Sequence, residues 1–110
     1  MQVQNDEPYT EIDTAMAQEM INAGKVYVID VREPGEWKEG HLEKSTLVPL
    51  NTFLKKPREH LKGDNVLFVC AMGQRSAVAS EMAAALGMEH VYNLAGGLTT
   101  WRQRGLPLVQ

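Results

Sequence analysis

The segment VLFVCAMGQRS at residues 66–76 passes from an unbroken apolar run, through a short loop, towards a helix-forming region. The apolar run follows turn residues at 63–65 and is typical of a strand buried on both faces of a sheet. Residues 76–86 are mainly Ala, Met, Val and Leu, and Gly87 follows as a natural helix end. The segment therefore predicts a buried strand, a tight loop with the one cysteine of the chain, and a helix.

The same alternation of strand and helix continues on both sides of this segment. Asp13 can cap a first helix, and Gly24 marks its end. The apolar residues Met16 and Met20 of this helix are spaced by four and are expected to pack in the core. Further strands are predicted at residues 26–29, 47–48 and 91–94, and further helical segments at 33–40, 51–61 and 98–104. Strands that alternate with helices require crossover connections, so the pattern predicts an α/β fold with a mainly parallel sheet covered on both faces.

Three predicted turns follow the carboxyl ends of strands, at residues 30–33, 70–75 and 95–97. Parallel sheets place their ligands outside the carboxyl ends of the strands. The sequence therefore predicts that these three turns form the functional site.

The loop at residues 70–76 has the features of a site that stabilises a cysteine thiolate. Its backbone N–H groups lie between a strand end and a helix start, so they can converge on Cys70 and bind an anion there. A nearby cation such as Arg75 also favours the thiolate, which is the nucleophilic form. Gly73 permits a tight turn, and Ser76 can either cap the helix or donate a hydrogen bond to a sulfur atom bound at the site. A buried cysteine is more often a packing residue, but this loop predicts a nucleophile whose sulfur is open to solvent.

Length and composition restrict the class of protein. The 110 residues suit one domain, and the hydrophobic fraction of 44% and charged fraction of 23% are ordinary globular values. The net charge of −3 argues against a nucleic-acid partner, and no apolar run approaches the ~20 residues of a membrane span.

A lone cysteine favours a cytoplasmic location, although a chain that had lost a leader would look the same. We predict an N-terminal tail over residues 1–10 and one domain over residues 11–110.

The loop matches the Cys-x-x-Gly-x-Arg-Ser pattern of rhodanese active sites, and other parts of the chain resemble the same family. Asp30-Val31-Arg32 and Gly40-His41-Leu42 are similar to the family's Asp-Val-Arg and Gly-His-Ile signatures, and Leu94-Ala95-Gly96-Gly97 with Trp101 resembles its final signature. These motifs occur in the family's order and cover nearly the whole chain. One departure is Glu43-Lys44-Ser45, which stands where many members have a Pro-Gly-Ala-like turn.

The resemblance implies a rhodanese-like three-layer α/β/α fold with about five mainly parallel strands. It also implies a sulfurtransferase that works by a ping-pong reaction through a persulfide, without a metal or organic cofactor. The partners implied are a small sulfur-containing anion such as thiosulfate as donor, and cyanide or a thiol as acceptor. The expected site has Cys70 as its catalytic residue and Asp30 and Arg32 as supports for the loops, with a substrate-binding loop formed by Ala71, Met72, Gly73, Gln74, Arg75 and Ser76.

Three alternatives stay open at this point. Arg75 is expected to bind the charged end of a donor, because its planar guanidinium suits sulfonate-like groups, but it can instead brace the loop. The physiological partner can be another protein, in which case the chain is a sulfur-delivery module. Certain phosphatases resemble rhodaneses in fold, but they place five residues between cysteine and arginine, whereas here four residues lie between Cys70 and Arg75. The shorter loop favours sulfur over phosphate.

Overall fold

All five strands of the central sheet run parallel to their neighbours. The computed structural model describes residues 8–110. The strands lie in the order β1-β5-β4-β2-β3, which places β4, the strand of the unbroken apolar run, at the centre of the sheet. Their bounds are β1 Thr10–Ile12, β2 Tyr27–Asp30, β3 Ser45–Leu47, β4 Val66–Val69 and β5 Val91–Leu94.

Within the described residues, four of the five α-helices fill the connections between strands, as the crossover rule requires, and the fifth follows the last strand. Their bounds are α1 Thr14–Asn22, α2 Pro34–Lys38, α3 Leu50–Lys55, α4 Gln74–Ala85 and α5 Gly97–Gln103, and a 3₁₀ turn follows α3 at Pro57–His60. Asp13 caps α1 as predicted, because its Oδ1 accepts a hydrogen bond of 2.8 Å from the Met16 amide. Pro57 divides the segment predicted as one weak helix into α3 and the 3₁₀ turn.

Each face of the sheet packs against its own helices. On one face Phe53 of α3 and Ala79 of α4 join Phe68 in a core cluster, and on the other Ala17 of α1 and Trp101 of α5 join Leu67. All residues of β4 are fully buried. Burying a Val, Leu or Phe side chain contributes about 1.5–3 kcal/mol each, so β4 anchors both layers. The predicted three-layer α/β fold is confirmed.

The first strand is a feature that the sequence pattern did not predict. Thr10 pairs with Tyr92 and Ile12 with Leu94, so β1 completes the sheet beside β5. Tyr9, 5% exposed, packs in the core, and the end of the predicted tail therefore takes part in the fold. Residues 1–7 lie outside the described residues, and the boundary at residue 10 stays a prediction.

One apolar position of the first helix was interpreted wrongly. Met20 packs against the core, but Met16 is 46% exposed, because the turn that carries the Asp13 cap places Met16 on the outer side of α1.

Among residues 8–110, no helix is long and apolar enough to cross a membrane.

Candidate active site

Cys70 lies directly after β4, at the carboxyl end of the central strand, and its sulfur sits at the N-terminus of α4. Its Sγ accepts hydrogen bonds from the Gly73 amide at 3.1 Å and from the Ser76 amide at 3.3 Å. The Ser76 hydroxyl forms a third contact at 3.2 Å, in which either atom can donate. The sulfur therefore lies at the positive end of the α4 dipole and faces two backbone N–H donors, an arrangement that accommodates a negatively charged group.

The expectation that the sulfur is open to solvent is wrong for this structure. Cys70 is 1% exposed. The reason is the inward direction of the side chain, which takes the place of a capping side chain for α4 and thereby satisfies the Gly73 and Ser76 amides. Met72, in contrast, is 64% exposed at the outer side of the loop. A reagent can therefore reach the sulfur only if the loop moves.

The N-cap position of α4 is occupied by Gly73 rather than by Ser76. Gly73 is the N-cap of α4 with φ of +98°, a left-handed conformation that glycine adopts without steric cost. Ser76 lies in the first turn, fully buried, where its hydroxyl contacts sulfur. Ser76 is therefore not the cap of α4, and the hydrogen bond from its hydroxyl to a bound sulfur atom stays a prediction.

The loop holds further backbone N–H donors besides those of Gly73 and Ser76. Among the described residues, no protein atom accepts a hydrogen bond from the amides of Ala71, Met72, Gln74 or Arg75. Unpaired amides at the start of a helix form a ready anion-binding site. The loop can therefore accept a negatively charged group beyond the sulfur of Cys70.

Helix α5 supports the loop from behind. The Leu98 amide donates to the Cys70 carbonyl at 2.8 Å, and the Thr99 amide donates to the Ala71 carbonyl at 2.9 Å. Gly97 makes this approach possible, since a Cβ at that position would lie 2.6 Å from the Cys70 carbonyl oxygen and would also clash with Ala71. The turn at residues 95–97 thus meets the turn at residues 70–75, as predicted.

Arg75 binds a carboxylate of the protein itself. Its Nη1 and Nη2 donate to Oε1 and Oε2 of Glu36 at 2.8 and 2.9 Å, which links the start of α4 to α2. The hydrogen bonds from Arg75 lower the pKa of Glu36 from 4.5 to about 2, and Glu36 in turn raises the pKa of Arg75. In this structure the guanidinium braces the loop, which is the alternative to donor binding that the sequence left open. Donor binding by Arg75 stays a prediction.

Asp30 and Arg32 form a buried ion pair behind the same edge of the sheet. Arg32 donates from Nη2 to Asp30 Oδ2 at 2.8 Å and from Nε to Oδ1 at 3.0 Å. Its Nη2 also donates to the Gly40 carbonyl at 2.8 Å. Asp30 is fully buried and Arg32 is 5% exposed, so both side chains hold the segment that follows β2 in place and neither projects into solvent.

Two residues at the site were not singled out from the sequence. Glu36 lies within the helical segment predicted at residues 33–40, but no local pattern shows that its partner is 39 positions away. Asn93 of β5 is 1% exposed, and its Nδ2 donates to the Gly73 carbonyl at 3.1 Å and to Glu11 of β1 at 3.0 Å. A polar residue inside an otherwise apolar strand was the available signal for Asn93, since buried polar groups need partners.

A group of possible metal ligands lies at the opposite edge of the sheet. Ligand atoms of Asp64, Glu89 and His90 lie within 4.8 Å of one another. His90 Nδ1 is 2.6 Å from Asp64 Oδ2, so the histidine already has a partner in the protein. Glu89 and His90 are exposed and Asp64 is half-buried. The group lies at the amino ends of β4 and β5, away from Cys70, and takes no part in the site.

Comparison with known proteins places these features in a family. The family model of the rhodanese-like domain matches residues 13–104. A sulfurtransferase from Allochromatium vinosum is 30% identical over 100 residues, which cover 90% of this chain and 94% of that protein. Other curated relatives are longer, and the chain spans 52% of one and 60% of another.

Solved structures show the same fold. A rhodanese-related protein from Thermoplasma volcanium has a TM-score of 0.80 and 35% identity, with 92% of this chain and 98% of that chain covered. A protein of unknown function from Rhodopseudomonas palustris, described as a possible tyrosine phosphatase, has a TM-score of 0.79 and 27% identity, with 92% and 85% covered.

Proposed function

The chain belongs to the rhodanese-like domain family, and on that basis we propose that it is a sulfurtransferase that carries sulfane sulfur as a persulfide on Cys70. The observation that carries this proposal is the position of Sγ at the N-terminus of α4, with hydrogen bonds from Gly73 and Ser76. The unpaired amides of the same loop support it, because a terminal persulfide sulfur is an anion that needs donors beyond Sγ.

The proposed reaction has two steps and passes through a covalent enzyme intermediate. In the first, the Cys70 thiolate attacks the sulfane sulfur of thiosulfate, the S–S bond of thiosulfate breaks, and sulfite leaves with the electron pair. In the second, cyanide or a thiolate attacks the terminal sulfur of the Cys70 persulfide. The S–S bond of the persulfide breaks, the acceptor keeps the sulfur, and the Cys70 thiolate is regenerated.

The enclosed sulfur adds a requirement to this reaction. Cys70 is 1% exposed and Met72 is 64% exposed, so the outer part of the loop must move aside before a donor reaches Sγ. The contacts of Cys70 and Ala71 with α5 fix the inner part of the loop, and Asn93 holds the Gly73 carbonyl. The movement therefore centres on Met72. The lone cysteine favours a reducing compartment such as the cytoplasm as the place of this reaction.

Intact-protein mass measurement tests the proposal. Incubation with thiosulfate is expected to add one sulfur atom, and subsequent cyanide is expected to remove it and to release thiocyanate. Cys70→Ser should take up no sulfur. A wild-type protein that gains no sulfur from thiosulfate or from a persulfide donor would show that the proposal is wrong.

Delivery of sulfur to or from another protein is a second candidate. The exposed apolar side chain of Met72 beside an enclosed sulfur favours it, because a docked protein can displace such a loop residue and exclude water at the same time. Turnover with thiosulfate compared with a protein persulfide donor separates the two candidates. Faster loading by the protein donor would favour delivery, and faster turnover of thiosulfate would favour the small-molecule enzyme.

A phosphatase function is the third candidate, since one structural neighbour is described as a possible tyrosine phosphatase. The four residues between Cys70 and Arg75 argue against it, and so does the guanidinium of Arg75, which binds Glu36 rather than facing an empty loop. Hydrolysis of an aryl phosphate is expected to be absent. Hydrolysis that disappears in Cys70→Ser would favour the phosphatase instead.

A further inference from the structure

A cavity of about 410 Å³ lies beside the Cys70 loop, between α2 and α5. Pockets that bind small molecules occupy about 300–1,000 Å³, so this one has room for more than a thiosulfate ion. It meets the loop at Ala71, the residue next to Cys70. Its lining residues are Arg32, Glu36, Glu39, Ala71, Leu98, Thr99, Arg102 and Gln103.

Two of the four charged residues in this lining are neutralised by the protein. Arg32 pairs with Asp30, and Glu36 pairs with Arg75. Neither the Arg32 guanidinium nor the Glu36 carboxylate is therefore available to a ligand without the loss of an ion pair.

The other two charged side chains of the lining are those of Arg102 and Glu39. Within residues 8–110, the guanidinium of Arg102 donates to no protein acceptor, and the carboxylate of Glu39 forms no ion pair. Gly40 makes room for this arrangement, because a Cβ there would lie 2.9 Å from Arg102 Nη2. The cavity thus presents one unpaired cation and one unpaired anion beside the reactive loop.

We propose that this cavity binds the sulfur acceptor, and that Arg102 and Glu39 select a small thiol that carries both a carboxylate and an ammonium group. The inference rests on the proposed function and names the substrate class of its second step. Arg102 binds the carboxylate through its fork of N–H donors, and Glu39 binds the ammonium group. The thiol then lies beside Ala71 and attacks the terminal sulfur of the Cys70 persulfide.

Four small thiols test the two assignments separately. Cysteine carries both charges, 3-mercaptopropionate only the carboxylate, cysteamine only the ammonium group, and 2-mercaptoethanol neither. The protein is loaded with sulfur first, and transfer to each thiol is then measured for the wild type, Arg102→Gln and Glu39→Gln. Because each thiol is compared with itself across variants, differences in thiol reactivity cancel.

The expected result is a selective loss. Arg102→Gln should raise KM about three- to tenfold for cysteine and 3-mercaptopropionate and leave the other two thiols unchanged. Glu39→Gln should do the same for cysteine and cysteamine. Arg104→Gln, an exposed arginine at the end of the same helix and outside the cavity lining, is the matched control and should change none of them.

Other outcomes identify which claim fails. If Arg102→Gln slows all four thiols equally, or none of them, the acceptor site is not in this cavity, while loading with sulfur and transfer to cyanide leave the proposed function intact. If the wild type takes up no sulfur, both proposals fall together.

Discussion

Arg75 on α4 and Glu36 on α2 are 39 positions apart in the chain and are joined by two hydrogen bonds of 2.8 and 2.9 Å. Glu36 Oε1 also accepts a hydrogen bond from the Glu33 amide at 3.0 Å and so closes the first turn of α2. One carboxylate therefore fixes α2 internally and ties it to the helix that begins at the Cys70 loop.

Glu36→Gln should separate the charge from the capping role. Glutamine keeps an oxygen for the Glu33 amide but loses the ion pair with Arg75, so the free energy of unfolding at pH 7 should fall by about 1 kcal/mol, as for a half-exposed pair. Urea denaturation measures this change. Glu33→Gln is the control, because Glu33 forms no ion pair among the described residues, and an equal loss in both variants would contradict the assignment.

The same pair predicts a pH dependence. The pKa of Glu36 is lowered from 4.5 to about 2 by the hydrogen bonds from Arg75, so the folded state binds the Glu36 proton less tightly than the unfolded state does. The stabilisation is complete above pH 4.5 and is lost as the pH falls towards 2. The difference in Tm between the wild type and Glu36→Gln should shrink over that range, and a difference that stays constant would argue against the pair.

Gly97→Ala should damage the site far more than a comparable glycine substitution elsewhere. Gly97 and Gly24 both have positive φ, +64° and +70°, but a Cβ at Gly24 meets nothing within 4 Å, whereas one at Gly97 collides with the Cys70 and Ala71 carbonyls. Gly24→Ala should cost about 1 kcal/mol of stability. Gly97→Ala should cost about 2–5 kcal/mol and reduce sulfur loading of the folded fraction. Equal losses in denaturation experiments would show that α5 does not support the loop.

The enclosure of Cys70 predicts slow alkylation in the native state. Since the chain has one cysteine, any thiol reagent reports on this residue alone. Iodoacetamide should react at least about tenfold more slowly with native protein than with protein in urea, and a bulky maleimide should show a larger difference, because local opening must precede reaction. Equal rates in both states would mean that the sulfur is exposed in solution.

The Asp64–His90 pair at the opposite edge of the sheet predicts a second pH effect. Its hydrogen bond raises the pKa of His90 above 6.5, so folding favours the protonated imidazole. The resulting stability is present below pH 6.5 and is lost as the pH rises through the folded pKa of His90. The Tm difference between the wild type and His90→Gln should be largest near pH 5 and should vanish in alkaline buffer. His60→Gln serves as the control, since no carboxylate among the described residues pairs with His60.

Local patterns were sufficient to predict most of the fold. The run at residues 66–69, the helix after the loop and the cap at Asp13 are each encoded within a few neighbouring residues. The strand β1 was missed because Thr10, Glu11 and Ile12 have no apolar alternation of their own and become a strand only by pairing with β5.

The sequence predicts the edge of the sheet at which the site lies better than it predicts the side-chain contacts within the site. The order of strands and turns brings Cys70, Asp30 and Gly97 to one edge of the sheet, and this follows from topology. The partner of Arg75 and the burial of Cys70 depend on side-chain directions between segments that are distant in sequence, and no residue pattern contains that information.

The order β1-β5-β4-β2-β3 also determines when this domain can fold during synthesis. Strand β1 leaves the ribosome well before β5, its neighbour in the sheet, and the carbonyls of Cys70 and Ala71 obtain their amide partners only after Leu98 and Thr99 have emerged. Chains grow at about 5–20 residues per second, so Cys70 stands for about one to six seconds on an unfinished scaffold. A nascent chain halted before residue 97 would therefore carry a thiol that oxidants reach freely, and protection of this cysteine would mark the moment at which α5 reaches the loop.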